Sequence, residues 1–412
     1  MSTKFNIVVY GNLSASGKSG LSFFNYQVAK YLYDKNMLHQ VYCLRIANQK
    51  HEIEIPADKI QTAHSHLPTK IKLALLRRLK KHTKYNERHL SEKIFDRFVS
   101  TIIDVEGVQV LFNLKPAVPL TTVKARSRQL FTVTLATIAH PQFNFKQIKK
   151  IEELYAIKDK SSYSNVSRMK KVCDTLNSSD LVIPKIGSSF ISNTYTSHGV
   201  PQVHRLTKIA GIDTTTYLPR SNQPESRLPV KFVTVAQFNL IKGVPLLLDA
   251  WKKYWATLPG SAELHFIGRV DPTAQQLIEK CFSALPSVHY HPFSKQIHQD
   301  LLQYDVFIAS SVSDLLPRTV LEAMACGLPV IASSHCGAAD LIEPSVSGFI
   351  YDPFDTEELA SLMRWFTEHH NQIMAMGKQG REKVEKLGFD NFLDEVCQVI
   401  EEKRRVVRDG VV

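Results

Sequence analysis

Residues 305–349 read DVFIASSVSDLLPRTVLEAMACGLPVIASSHCGAADLIEPSVSGF and contain the pattern that decides the fold. The pattern predicts a strand, a helix and a second strand, at Val306–Ala309, Pro317–Ala325 and Val330–Ser333. Pro317 suits the first helical turn, because the N–H that a proline lacks would be unpaired there, and Gly327 ends the helix. The free N–H groups near residues 315–319 therefore predict an anion site at the end of the first strand.

The same alternation of short apolar strands and longer helical patterns extends from this stretch to both sides. We predict further strands at Phe5–Tyr10, Val41–Ile46, Gln109–Phe112, Leu130–Ala136, Val230–Ala236 and Glu263–Ile267, and further helices at Leu21–Tyr33, Val244–Trp255 and Thr273–Ser283. The pattern restarts after the polar stretch Pro219–Pro229. This order is typical of an α/β fold with two facing Rossmann-like domains and a cleft between them. We expect domains at 1–205 and 206–390, and a C-terminal helix at 391–412 that packs back on the first domain.

Composition and charge narrow the function. The chain has 412 residues, 44% hydrophobic and 22% charged, which excludes disorder and fibrous repeats. The formal net charge of +12 is uneven: residues 1–200 carry 30 Lys+Arg against 14 Asp+Glu, or +16, and residues 201–412 carry 21 against 25, or −4. The basic half indicates a polyanionic partner, which leaves nucleic acid, an anionic membrane and a phosphorylated substrate as alternatives.

The cysteines and the apolar runs indicate the compartment. The six cysteines have no C-x-x-C spacing, which argues against a disulfide framework or a zinc knuckle. Residues 1–12 resemble a buried first strand more than a signal peptide, and no run approaches the ~18 apolar residues of a membrane span. We therefore expect a cytoplasmic protein, with or without contact to the inner face of the cell membrane.

The stretch from Asp314 onward resembles the retaining glycosyltransferases of family 4, which have the GT-B fold. That family carries Glu-x7-Glu followed by E-A-M-A-x-G-x-P-V-I, and this chain has Asp314 in the first place and EAMACGLPVI at Glu322–Ile331. The segments Lys208–Pro219 and Ser345–Ala360 are also similar to family motifs. The resemblance covers residues 205–400 strongly and the first domain weakly.

The resemblance implies a site for a nucleotide diphosphate sugar. Glu322 would bind the ribose, since a carboxylate accepts two hydrogen bonds from vicinal hydroxyls, and Asp314 would lie near the sugar. The resemblance places the diphosphate on Lys242 and Gly243, and on the helix-terminal residues Leu315, Leu316, Arg318 and Thr319. Gln237 stands where the family has an arginine. Either Arg318 or Arg269 compensates, or the donor differs, or the protein is slow or inactive.

Two features of the first domain concern the same cleft. The segment Gly11–Ser19, GNLSASGKS, resembles a Walker loop but has five residues between its glycines where the motif needs four. We interpret it as a strand-to-helix loop in which Gly17 and Gly20 allow close approach to the donor. His140 occupies the place of a family histidine that faces the acceptor. The alternative for His140 is a histidine at a strand end whose hydrogen bonds are satisfied by the backbone.

The remaining candidates are a metal site and a membrane surface. There is no D-x-D motif, and the pairs His64/His66 and His289/His291 lack neighbouring ligands in the sequence, so we predict no metal. Residues 70–97 hold ten Lys+Arg against three acidic residues. Ile71, Leu75, Leu76 and Leu79 have helical spacing there, beside Arg77, Arg78, Lys80, Lys81 and Lys84. This indicates either a solvated helix or peripheral contact with anionic lipid.

The resemblance thus implies a retaining transferase that moves a hexose-type sugar from a nucleotide sugar to a saccharide or lipid-linked acceptor. Synthesis of lipopolysaccharide, capsule or exopolysaccharide is the expected context. We expect no cofactor, no obligatory metal and no nucleic-acid partner. The alternative is a degenerate GT-B protein that acts as a non-catalytic binding subunit, and a kinase ranks last.

Overall fold

Two parallel sheets form the framework of the chain. The computed structural model describes residues 3–15, 21–47, 53–79, 87–159, 161–185, 187–200, 202–219, 228–271 and 285–409. The first sheet contains β1 (Phe5–Leu13), β2 (Leu38–Ile46), β3 (Ile60–Thr62), β4 (Val110–Asn113), β5 (Phe131–Ala136) and β6 (Leu181–Pro184), in the order β3-β2-β1-β4-β5-β6. The second contains β7 (Val230–Phe238), β8 (Ala262–Val270), β9 (Val288–His291), β10 (Val306–Ala309), β11 (Val330–Ser333) and β12 (Gly348–Tyr351), in the order β12-β11-β10-β7-β8-β9. This confirms the α/β fold class with two Rossmann-like domains.

Helices cover both faces of each sheet. Those of the first half are α1 (Leu21–Asp34), α2 (Leu67–Leu79), α3 (Glu87–Ile102), α4 (Pro119–Ser127), α5 (Pro141–Tyr155), α6 (Val166–Asn177) and α7 (Ser189–Thr196). Those of the second half are α8 (Val244–Thr257), α9 (Ile297–Asp300), α10 (Arg318–Ala325), α11 (Thr356–Glu368), α12 (Ile373–Glu385) and α13 (Phe389–Arg408). Successive strand residues such as Phe232 and Val233 lie in different core clusters. Both faces of the sheet are therefore buried, as in most parallel sheets.

The chain passes between the domains twice, and the two passages touch. Helix α13 follows the second domain but contributes Phe392, Val396 and Ile400 to the core of the first. The Glu395 carboxylate on this helix accepts a hydrogen bond from the backbone N–H of Thr207, at 2.7 Å. A Cβ added to Gly211 in the first passage would lie 2.2 Å from the Leu387 carbonyl oxygen in the second. The passages are thus packed against each other at backbone distance.

The basic segment that we treated as one helix over residues 70–97 is divided between α2, which ends at Leu79, and α3, which begins at Glu87. Lys80, Lys81 and Lys84 of its basic face lie outside the described residues, as do the predicted helix Thr273–Ser283, Gly17 and Gly20. No described helix is both long enough and apolar enough to cross a bilayer.

Candidate active site

A cavity of about 180 Å³ lies where strand ends of the two domains face each other. The first domain lines it with Thr137, Ile138, Ala139, Asn144 and Tyr163, and the second with Gln237, Asn239, Ile241, Lys242, Ser313, Asp314 and Leu315. Most of these residues lie at or just after the carboxyl ends of β5, β7 and β10, where ligands of open α/β sheets bind. A larger cavity of about 390 Å³ lies before β10 and β11, beside Asp305 and Gly327, at the opposite edge of the second sheet.

The cavity contains an ion pair between Lys242 and Asp314. Lys242 closes the short turn after β7, and its Nζ donates to Oδ2 of Asp314. The Asp314 N–H donates to the His335 carbonyl oxygen at 3.0 Å, and the Asp314 carbonyl oxygen accepts from the N–H of Gly337 at 3.0 Å. Burial alone would lower the pKa of Lys242, but the charge and the hydrogen bond of Asp314 raise it. Lys242 is therefore a charged lysine that Asp314 holds in place in the cavity.

Gly243 brings the lysine turn against β10. Its φ of +67° lies in the left-handed region, and an added Cβ would lie 1.9 Å from the carbonyl oxygen of Ser310. The Ser310 hydroxyl donates to the Lys242 carbonyl oxygen at 2.9 Å. Only glycine fits this approach without displacing the backbone. The close packing of the two loops therefore explains why a glycine stands at position 243.

At the start of α10, the first backbone N–H groups have no side-chain partner among the described residues. Pro317 precedes the helix, and no side chain caps it. Leu315 is buried and lines the cavity, while Leu316, Arg318 and Thr319 are half-buried. An uncapped helix start next to a cavity suits the phosphate of a ligand, because its N–H groups and its dipole both favour negative charge.

Glu322 is buried behind this helix start and is not among the cavity-lining residues. Its Oε1 accepts from the Tyr217 hydroxyl at 2.9 Å and from Arg318 Nε at 3.2 Å. Burial raises the pKa of Glu322, and the two hydrogen bonds oppose that effect. Sequence reasoning missed Tyr217, which lies in the connector between the domains. Both partners contact Oε1, so a diol would share that oxygen with Tyr217 and Arg318.

Arg269 lies directly beside Gln237. The two residues are partners in the register of β7 and β8, and both are exposed. The Arg269 guanidinium lies 4.6 Å from the centre of the Phe293 ring. A guanidinium is therefore available at the strand end where Gln237 replaces the expected arginine.

His140 is 2% exposed and does not line the cavity, although its neighbour Ala139 does. Its ring stacks on His198 with centres 4.5 Å apart, and among the described residues its Nδ1 has no hydrogen-bond partner. Burial, with a smaller contribution from His198, lowers the pKa of His140 to about 4. His140 is thus neutral at pH 7 in this arrangement.

The domains also meet through contacts that the sequence did not indicate. The Ser313 hydroxyl donates to the Asn144 side chain across the cavity. Phe190 of α7 stacks on His335 with ring centres 5.1 Å apart. Asn144 lies in the first turn of α5, and the signal for it was its position soon after the carboxyl end of β5, where only His140 was singled out.

A possible metal site lies away from the cavity. Ligand atoms of Glu263, His265 and His289 lie within 4.8 Å of one another on β8 and β9. His265 Nε2 is 3.0 Å from Glu263 Oε2, and His265 Nδ1 is 3.0 Å from Nε2 of His291. Sequence spacing missed this group because the sheet register pairs His265 with His289. Three such ligands suit a zinc-like ion, but they lie toward the amino end of β8, opposite the carboxyl-end cavity.

Comparisons with known proteins agree with this architecture. Residues 220–383 match the family described as glycosyl transferases group 1. Sulfoquinovosyl transferase SQD2 of Arabidopsis thaliana is 30% identical over 186 residues, which are 43% of this chain and 36% of that protein. The putative colanic acid biosynthesis glycosyltransferase WcaL of Salmonella typhimurium is 27% identical over 218 residues, 50% of this chain and 52% of that protein. The matches thus span between a third and a half of the relatives' own length.

Solved structures match nearly the whole chain. HepE of Anabaena, in complex with UDP and glucose, has a TM-score of 0.62 at 14% identity and covers 97% of this chain and 99% of its own. Sucrose-phosphate synthase from Thermosynechococcus elongatus has a TM-score of 0.64 at 16% identity, with 97% and 98% covered. At these identities the likeness shows the fold alone, which is GT-B.

Proposed function

We propose, because residues 220–383 match the family described as glycosyl transferases group 1, that the chain transfers a sugar from a nucleoside diphosphate to an acceptor hydroxyl. The observation that carries the proposal is the Lys242–Asp314 pair in a cavity lined by both domains. The second domain would hold the donor and the first the acceptor. Such a cavity supplies positioning and charge neutralisation, which are large contributions to catalysis.

The donor diphosphate would bind the cations and N–H groups of the second domain. Lys242 and the uncapped start of α10 lie on one side, and Arg269 extends the positive charge along β8. Asp314 would exchange its contact with Lys242 for hydroxyls of the sugar, and Glu322 would share its carboxylate with the ribose. Gln237 would contribute a hydrogen bond without charge.

We propose a retaining reaction on a hexose-type donor. The bond from the anomeric carbon to the diphosphate oxygen breaks, the acceptor oxygen forms a bond on the same face, and its proton passes to the leaving phosphate. The cavity lining supports this route, because its titratable side chains are Tyr163, Lys242 and Asp314, and Asp314 is assigned to the hydroxyls of the sugar. His140 is buried and neutral, so it is a poor proton acceptor for this step.

We also propose that transfer needs no metal. Lys242 and Arg269 can neutralise the leaving diphosphate, whereas the group around His265 lies toward the opposite edge of the sheet. Activity in excess EDTA should equal that in buffer. A loss that added Mg²⁺ restores would disprove metal independence.

The acceptor would be a saccharide or lipid-linked glycan of the cell surface, at the cytoplasmic face of the membrane. Relatives of this chain are named for colanic acid and amylovoran biosynthesis.

Helix α2 supports membrane contact, because its apolar residues Leu67, Ile71 and Leu75 are 65%, 50% and 51% exposed. Exposed cations lie beside them, namely Lys70, Lys72, Arg77 and Arg78. The fraction of protein that sediments with anionic vesicles should be lower for Ile71→Glu than for the wild type, and lower at high salt than at low salt. If the fraction is the same in all cases, helix α2 does not contact the membrane.

A thermal-shift screen of UDP-, GDP- and ADP-sugars tests the main proposal, because a donor that binds the folded state raises the melting temperature. The substitution of Gln237 for arginine favours a second candidate, a non-catalytic GT-B subunit. Slow hydrolysis of the stabilising nucleotide sugar would support the transferase. Binding without hydrolysis or transfer would support the subunit, and no shift with any donor would contradict both.

A further inference from the structure

Three cations lie close together at the carboxyl edge of the first sheet, where Arg88 and Arg168 both act electrostatically on Lys115. Arg88 lies in the first turn of α3, Arg168 in the first turn of α6, and Lys115 follows β4. Arg168 Nε donates to both oxygens of Glu92 at 3.2 and 3.1 Å, and Arg88 Nε donates to Glu92 at 3.3 Å. We call Arg88, Lys115 and Arg168 the cation cluster.

The cation cluster is not neutralised. Glu92 is fully buried and is shared by both arginines. Lys115 pairs with no carboxylate among the residues that the structure describes, and its Nζ lies 5.2 Å from the centre of the Tyr10 ring. Burial, with repulsion from Arg88, lowers the pKa of Lys115 to about 7. When Lys115 is protonated, the three cations exceed the single negative charge of Glu92 by two. Burial of unpaired charges costs free energy, and a bound anion would offset that cost.

The cation cluster adjoins the cavity. Arg88 Nη1 donates to the Ser162 hydroxyl at 3.3 Å, and the next residue, Tyr163, lines the cavity with Lys242 and Asp314. A group bound to the cluster therefore lies on the first-domain side, where the acceptor is expected. The edge of the sheet is also where ligands of this fold bind.

We infer that the cation cluster binds a phosphate group of the acceptor, so that the substrate class is a phosphate-bearing glycan or glycan carrier. This inference rests on the proposed transferase function. Two excess charges match a phosphate monoester, which carries about −1.5 to −2, better than a carboxylate. Planar guanidiniums and a lysine point charge are also the usual partners of phosphate. The phosphate would hold the acceptor with its hydroxyl toward the cavity.

The test is a calorimetric titration of glycerol 1-phosphate into the full chain, with and without a saturating nucleoside diphosphate from the thermal-shift screen. We expect binding in both conditions. Lys115→Met and Arg88→Gln should weaken it about tenfold or more, since each removes a charge-assisted contact. The control is Lys170→Met, an exposed lysine on α6, which should bind as the wild type does. Melting curves show that each variant folds, and Lys115→Met should melt no lower than the wild type.

The outcomes separate this inference from the transferase. Equal binding by Lys115→Met and wild type, or no binding, would overturn the subsite. If a saturating nucleotide abolishes the binding of glycerol 1-phosphate, the phosphate occupies the donor site, and this result would also overturn the subsite. If glycerol 1-phosphate binds through Lys115 but no nucleotide binds, the subsite stands and the proposed transferase fails.

Discussion

Lys242 Nζ and the Asp314 carboxylate form an ion pair that joins the loop after β7 to the loop after β10. Each partner is less than a third exposed, with side-chain exposures of 25% and 16%. The pair therefore stands at the edge of the solvent, where a ligand can reach both charges. This contact connects the fold to the proposed chemistry.

Lys242→Met should reduce sugar transfer by roughly 100-fold or more, because a preorganised cation at a developing charge is typically a large catalytic contribution. The rate with saturating donor is the measurement. Lys253→Met on α8 is the matched control, since Lys253 contacts Thr356 and Glu357 on the outside of the domain. Near-normal transfer by a folded Lys242→Met would contradict the assignment of this site.

Gly243→Ala should destabilise the second domain more than Gly260→Ala. Both glycines have positive φ, +67° and +80°, so each alanine carries a strain of about 1 to 2 kcal/mol. Only at Gly243 does the new Cβ also meet a backbone oxygen, at 1.9 Å, whereas Gly260 has nothing within 4 Å. Urea unfolding gives the two free energies. Equal losses would mean that the loop after β7 is free to shift.

Arg269→Gln should weaken binding of the nucleoside diphosphate about tenfold, because it removes a charge-assisted contact beside Gln237. Gln237→Arg should have the opposite effect. Lys252→Gln, a half-exposed lysine paired with Asp249 at 3.5 Å, serves as the control in the same titration. If Arg269→Gln binds like the control, Arg269 does not replace the missing arginine.

The wild type should lose stability as the pH falls from 7 to 5, and His140 should account for part of the loss. Its folded pKa of about 4 lies below the unfolded value of 6.5, so the unfolded chain takes up the proton first and is favoured below pH 6.5. The contribution between pH 7 and 5 is about 1 to 2 kcal/mol. Burial lowers the pKa of His265 to about 4 as well, which adds in the same direction.

Urea unfolding at both pH values measures this contribution. In His140→Asn the difference between the two free energies should shrink by about 1 to 2 kcal/mol. In His66→Asn, which changes an exposed histidine, it should not. An unchanged difference in His140→Asn would show that His140 takes up a proton equally in both states.

The fold class followed from local patterns, whereas the state of individual site residues depends on distant partners. Apolar runs such as Val306–Ala309 consist of a few consecutive residues, so the strands could be predicted from them directly. The loops that line the cavity could then be predicted, because ligands of such sheets bind at the carboxyl ends of the strands. The contact of Glu322 with Tyr217 and the burial of His140 both arise from segments far away in the sequence. The group around His265 depends on sheet register, which no spacing within one strand reveals.

The contact between Gly211 and Leu387 has a mechanical consequence. Because both covalent connections between the domains run through one packed point, the domains are tethered at a single pivot. An opening of the cleft would then have to be a rotation about that pivot, because sliding of one domain along the other would require the backbones to separate. The hydrogen bond between Ser313 and Asn144 joins the two domains, so such a rotation would have to break it.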